Sequence, residues 1–247
     1  PFKLSFAQRR IWFLQQFEPG SGAYNDPTAL RLKGEVDFGA LERTFNEIVR
    51  RHHVLQMVFP AVNGQPVMDY HPSVKRGEPV RVEIIRTTLK EQNPDGGDDV
   101  DEQVKAYVNR FAGQAFDLSG DFLIRASLME IGDKHYALVV NIHHIVLDGW
   151  SKGIMLQELM DIYKAFSSGK PSPLKELPLQ YPDYVAWLHE WMDGKMYAAR
   201  LDYWTERLKD HAPVLEMPFD RPRPSMPSGK GSLEPFRFSP QEFADLN

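Results

Sequence analysis

The stretch from Asn141 to Ser151, N-I-H-H-I-V-L-D-G-W-S, restricts what this chain can fold into more than any other. An apolar run, Tyr136 to Val140, leads into it. Apolar residues at helical spacing follow it: Ile154, Leu156, Leu159, Ile162 and Tyr163. That order predicts a strand, a tight loop and a helix, with a polar cluster at the junction. Neighbouring side chains of a strand point to opposite faces. His144 therefore shares a face with Ile142 and Val140, and His143 shares one with Asn141. Only one of the pair can face a given cavity, which predicts one working and one structural histidine.

The residue types have chemical reasons to stand together. A histidine titrates near neutrality and can shuttle a proton. Asp148 is placed to open the following helix, where a carboxylate caps backbone N–H groups or holds an arginine. Gly149 lets a substrate oxygen approach its N–H at the positive end of that helix. A general base beside an oxyanion donor is what acyl transfer requires. Three other readings compete. A buried histidine pair satisfied by hydrogen bonds is the plainest. A His, His, carboxylate metal triad is the second, but adjacent strand positions aim the imidazoles apart, so no metal is expected. The third is a nucleophile elbow, since Gly149-Trp150-Ser151-Lys152-Gly153 fits G-x-S-x-G. Asp183 and His189 or His211 would complete it, yet they lie in or after a long helical segment and leave the upstream histidines unexplained.

Composition narrows the partners. A net charge of −5 with no basic stripe argues against nucleic acid. The absence of cysteine excludes disulfides and a thiolate nucleophile. With no long apolar run or signal peptide, neither a membrane partner nor secretion is expected, and the chain reads as soluble and cytoplasmic.

Along the chain, Ser5 to Trp12 predicts a short amphipathic helix ending before Pro19-Gly20, and Ala29 to Leu32 a strand. Asp37 is positioned to cap a helix carrying Leu41, Phe45, Ile48 and Val49. A strand is expected from Val54 to Phe59, a hairpin turn at Asn63-Gly64, and a strand from Val80 to Arg86. An acidic loop spans Asn93 to Asp99, and a helix runs from Val100 through Phe111. Phe122 to Ile131 and Tyr136 to His143 predict an antiparallel pair. Ser167 to Pro173 is a loop, and a long helical pattern runs from Tyr184 to Leu208, kinked or divided at Gly194. Pro213 to Pro227 is a proline-rich connector. Phe236 to Phe238 reads as a strand, and Ser239-Pro240-Gln241 as a helix start. The sum is an α+β chain with a mixed sheet flanked by helices. Core-like residues at the start and an unfinished helix at the end read as cuts in a larger fold.

With these pieces placed, the chain resembles the condensation domain of nonribosomal peptide synthetases. Ser5 to Trp12 matches S-x-A-Q-x-R-[LM]-W, and Arg51-His52-His53-Val54-Leu55 matches the start of R-H-E-x-L-R. His143 to Ser151 matches H-H-x-x-x-D-G-x-S, and Tyr181 to Trp187 resembles Y-x-D-[FY]-A-x-W. Asp220 to Pro224 then gives D-R-P-R-P. The resemblance implies a fold like chloramphenicol acetyltransferase, two lobes forming a V with the active site at the seam. Residues 1–175 would be the N-terminal lobe, and 176–247 a helical segment and connector toward a C-terminal lobe that this chain lacks. On that expectation the chain alone is inactive.

The implied activity joins an amine on a downstream peptidyl carrier domain to a thioester on an upstream one, beside an adenylation domain. Both substrates ride on phosphopantetheine arms, and no cofactor is bound directly. His144 would stand at the reaction centre, with His143, Asp148 and Gly149 supporting it. Asp148 would bridge an arginine, with Arg10, Arg51 or one from the other lobe as candidates. Glu18 to Ser21 and Ala23-Tyr24-Asn25 resemble domains taking an L-configured donor. Two departures stand out: His53 and Gln56 replace the glutamate and second arginine of R-H-E-x-L-R, and Leu147 stands where a small or polar residue is usual. The alternatives are an epimerisation domain, which generally lacks the S-x-A-Q-x-R-x-W opening, and a degenerate domain that only recruits carriers.

Overall fold

The computed structural model describes residues 1–93, 99–211 and 236–246, with 218, 220–222 and 225 between them. In chain order the elements are α1 (Phe6–Phe17), β1 (Asn25–Lys33), α2 (Phe38–Arg51), a 3₁₀ turn (His53–Gln56), β2 (Met57–Val58), β3 (Ala61–Val62), β4 (Gln65–Pro66) and β5 (Asp69–Tyr70). They continue with α3 (Pro72–Lys75), β6 (Ile84–Thr88), α4 (Leu89–Gln92), α5 (Val100–Ala112), β7 (Ile124–Gly132) and β8 (His135–His143). Then come α6 (Gly149–Ser167), α7 (Tyr181–Met192), α8 (Lys195–Leu208) and α9 (Pro240–Asp245). The chain divides into two units, residues 1–203 and 204–247. Among the described residues no helix is long and apolar enough to cross a membrane.

The main sheet of the first unit has the order β1-β8-β7-β6. β8 pairs antiparallel with β1 and β7, while β6 lies parallel to β7, so the sheet is mixed. The parallel pair needs a crossover, which α4 and α5 supply. β8 is buried along nearly its whole length because helices cover both faces of it. Leu138, Val140 and Ile142 join the core with Phe45 and Ile48 of α2 and Ile162 of α6. Ala137 and Val139 pack on the other face with Val104, Tyr107 and Phe111 of α5. That two-sided cover explains why Tyr136 to Val140 is an apolar run rather than an alternation. β1 is an edge strand and does alternate in burial; it tolerates Pro27 there because one side of an edge strand needs no ladder donor.

The helix starts follow local chemistry. Ser5 and Gln8 form a reciprocal capping box on α1, and Asp37 caps α2 by accepting from Ala40 N–H at 2.8 Å. Asn63 and Gly64 both have positive φ, 52° and 75°, as a tight hairpin turn between β3 and β4 demands.

Several expectations are corrected. Val54 to Phe59 is not one strand: the Leu55 N–H turns back to the His52 carbonyl at 2.9 Å, and only Met57–Val58 pairs, with β5. The cause sits in Gln56, whose Nε2 donates to the carbonyls of Val49 and Arg50 at 2.9 and 3.0 Å and closes the end of α2. The strand expected from Val80 starts at Ile84, after the Val82 N–H donates to the Asn46 side chain at 2.8 Å. The last long helical pattern begins at Tyr181 and is divided at Gly194 into α7 and α8.

In the second unit, Ser239 and Glu242 form a capping box on α9. Phe236 to Phe238 has no strand pairing among the described residues; its two phenylalanine rings meet edge to face at 5.5 Å. Residues 94–98 of the acidic loop, and most of Pro213 to Pro227, lie outside the described residues.

Candidate functional site

β8 ends at His143, opposite Asn25 of β1. The His143 backbone N–H donates to Leu123 at 3.0 Å, and the His144 N–H to Tyr24 at 2.7 Å. The chain is thus held from both sides where it leaves the sheet, and the two imidazoles diverge. His143 is 1% exposed, between the rings of Phe116 and Tyr24. Its Nδ1 accepts the Ile145 N–H at 3.2 Å, which places the ring proton on Nε2. Nε2 has no hydrogen-bond partner among the described residues. His144 is exposed and borders a cavity of about 570 Å³ between α1, α6 and α7.

Burial, followed by the neighbouring charge of His144, pushes the His143 pKa down to about 4. His143 is therefore neutral in the native state, whereas an unfolded chain takes up that proton below about 6.5. Its contribution to stability is complete above about pH 6.5 and is lost as pH falls toward about 4. The expected loss across that window is on the order of 3 kcal/mol. Denaturant midpoints measured from pH 7 to 4 should fall, and His143→Leu should flatten that part of the fall; an unchanged slope would refute the assignment.

Asp148 is the N-cap of α6. Its Oδ1 accepts the Ser151 N–H at 2.8 Å. That backbone bond, then a side-chain bond from Ser151, keeps its carboxyl below the usual carboxylate range. Among the described residues no guanidinium pairs with it. Arg51 instead reaches Glu158 with Nη2 at 3.3 Å and the Lys175 carbonyl with Nη1 at 2.8 Å. Arg10 borders the same cavity from α1 and is exposed. Asp148→Ala should therefore cost the 0.5–2 kcal/mol of a lost cap, about 1 kcal/mol in a typical case, rather than the larger amount of a broken buried pair. Thermal melting decides between them.

Gly149 is the first residue of α6, and a Cβ added there would meet nothing within 4 Å. Nothing among the described residues requires glycine at that position. Gly149→Ala should leave stability unchanged or raise it by up to about 1 kcal/mol. If a substrate oxygen comes to this N–H, the same variant should lose turnover; equal turnover would separate Gly149 from the chemistry.

Sequence reasoning missed a role for His52, which borders the cavity, and for Glu158 behind it. His52 Nε2 lies 2.7 Å from Glu158 Oε2, so one buried carboxylate ties both Arg51 and His52 at the end of α2 to α6. A signal existed: Glu158 falls on the apolar stripe of Met155, Leu159 and Ile162, where a carboxylate needs a cation. Leu147, the departure beside Asp148, is buried and forms part of the cavity wall. Lys152, one turn into α6, pairs with Asp26 of β1 and ties the start of the helix to the sheet edge. Apart from Arg10, His52, His144, Asp148 and a few amides and hydroxyls, the cavity wall is largely aliphatic and aromatic.

Residues 2–247 match the family model described as condensation domain. A linear gramicidin synthase of Brevibacillus parabrevis is 38% identical over 246 residues, covering 100% of this chain and 5% of the relative. Malpinin synthetase of Mortierella alpina is 41% identical over 228 residues, covering 92% of this chain and 3% of the relative. The X-domain from teicoplanin biosynthesis superposes with a TM-score of 0.75 at 27% identity, over 92% of this chain and 47% of that one. The first condensation domain of the CDA synthetase gives a TM-score of 0.72 at 23% identity, over 85% and 51%, a likeness of fold. The chain therefore spans about half of these solved chains and a small fraction of the curated synthetases.

Proposed function

We propose, for a chain that belongs to the condensation-domain family, that the cavity beside His144 is one wall of a site forming peptide bonds between carrier-bound substrates in nonribosomal peptide synthesis. The observation that carries this reading is the divergence of the two histidines. His143 is buried and neutral, with its Nδ1 engaged by the Ile145 N–H, while His144 is exposed at a cavity that Asp148 and Ser151, at the N-terminus of α6, also border. In the reaction the amine nitrogen attacks the thioester carbonyl, a C–N bond forms, the C–S bond breaks, and the carrier thiol leaves as the amine loses a proton. His144 is the group placed to accept or hold that proton. In this reading the Gly149 N–H, at the positive end of α6, donates to the oxyanion. Asp148 holds the first turn of α6 in register with both.

The substrates in this reading are thioesters on the phosphopantetheine arms of upstream and downstream peptidyl carrier domains, activated by an adjacent adenylation domain. The chain itself binds no cofactor. Residues 1–175 form the lobe carrying the reacting histidine, and 176–247 lead toward a second lobe that completes the seam. The S-x-A-Q-x-R-x-W opening, folded here as α1 against the cavity, favours condensation over epimerisation. The test supplies both loaded carriers to a condensation domain containing this chain and follows the downstream carrier by intact-protein mass spectrometry. A dipeptidyl adduct is expected; an epimerised aminoacyl carrier with no adduct would overturn the reading.

A further inference from the structure

We propose that His52 is a second substrate contact, a hydrogen-bond acceptor at the inner end of the cavity that recognises the part of a peptidyl thioester remote from the reacting carbonyl. This rests on the condensation reading above and adds a substrate class to it. The cavity is long. Asp148, Ser151, Ile154 and Met155 lie along it on successive turns of α6, and Glu158, which holds His52, is one turn further. Ten helical residues span about 15 Å, so His144 and His52 mark opposite ends. An extended peptide advances about 3.3–3.6 Å per residue, which makes the distance about four residues. The volume agrees: about 570 Å³ is several times the roughly 150 Å³ that admits one benzene.

Among the described residues the polar side chains that share the cavity wall with His52 are mostly engaged already. Gln180 accepts the His53 N–H at 3.0 Å and donates to the Arg51 carbonyl at 2.9 Å. Gln8 is likewise engaged by Ser5 and Ile145, each at 3.1 Å, and the Tyr181 hydroxyl by Ser5 at 3.0 Å. The remaining wall there is Ile48, Val54, Leu55 and Leu177. His52 differs. Its Nε2 bonds to a carboxylate that Arg51 also holds, so in the neutral ring Nε2 carries the proton and Nδ1 keeps its lone pair. The side chain is 27% exposed, and Nδ1 has no partner among the described residues. A fixed acceptor beside the apolar wall of Ile48, Val54, Leu55 and Leu177 selects for a ligand that brings an N–H to it, because an N–H buried there without a partner is penalised.

The experiment compares donors on a complete condensation domain containing this chain: a one-residue aminoacyl thioester, a tetrapeptidyl thioester, and a straight acyl thioester of the same length with no N–H. His52→Ala is expected to lower kcat/KM for the tetrapeptidyl donor about tenfold, one hydrogen bond's worth, and to leave the other two within about twofold. His52→Gln, which keeps an N–H for Glu158 and an acceptor oxygen for the substrate, should restore most of the loss. Equal losses for all three donors, or none for any, would overturn the proposal while leaving condensation intact. No product from any donor with the unaltered protein would overturn condensation and the proposal together. If His52→Ala does not fold, the unaltered protein decides: methylating the remote N–H groups of the tetrapeptidyl donor should cost about tenfold, and no cost would refute the contact.

Discussion

His144→Ala should lower the rate of peptide-bond formation roughly 10²–10⁴-fold with little change in melting temperature. The imidazole is exposed, and the residue is anchored by its backbone N–H to Tyr24, a bond that alanine keeps. Removing the ring therefore takes away a group that faces the cavity without opening the core. His143→Ala is the opposite case. That side chain is fully buried against Phe116, and its Nδ1 is the partner of the Ile145 N–H at the start of the loop that leads into α6. Its loss should lower stability by a few kcal/mol, as large-to-small core changes do, and impair turnover through misplacement of the loop. Activity and melting curves on the two variants separate the reacting histidine from the structural one. The reverse pattern would exchange their roles.

Glu158→Ala should be the most destabilising single change at the site. It strips the carboxylate from Arg51, whose side chain is 3% exposed, and leaves a buried guanidinium whose Nε already lacks a partner among the described residues. Breaking a buried pair by deleting one member costs about 3–5 kcal/mol. For a domain of this size that is a fall in Tm on the order of 10 °C. Replacing both members, Arg51→Met with Glu158→Leu, should recover much of the loss, since two uncharged side chains of similar volume incur no desolvation penalty. If the double variant melts as low as Glu158→Ala, the network contributes through something other than charge burial.

Most of the frame was legible because it is written in local terms. Ser5, Asp37, Asp148 and Ser239 each stand where a side-chain oxygen caps the next helix, and each does so. The β7–β8 pair and the helix after Gly149 follow from apolar runs of the right length. Period-two alternation correctly predicts that the histidines diverge, although His144 already lies beyond the end of β8. The misreadings have tertiary causes. Val54 to Phe59 has strand-forming residues, yet Gln56 reaches back to the end of α2 and turns the chain. Gln56 thus has a structural task that the arginine-bearing motif does not suggest. Arg51 was a candidate partner for Asp148, but the carboxylate it meets is Glu158, 107 residues away on α6. Spacing along the sequence carries no information about such a meeting. The cavity shares that limit, since its walls come from α1, the 3₁₀ turn, α6 and α7.

If His144 is the reacting group, a pantetheine thioester must place its carbonyl end at that imidazole. Bromoacetyl-pantetheine tests this directly on the chain itself, since an imidazole nitrogen within reach displaces bromide and keeps the label. After treatment and proteolysis, fragment masses of every histidine-bearing peptide locate the adduct. The expected result is alkylation concentrated on His144, suppressed by excess unreactive acetyl-pantetheine, with the exposed His135 and His211 labelled only at the slow rate of free imidazole. Labelling shared evenly among exposed histidines, or concentrated elsewhere and indifferent to the competitor, would contradict it.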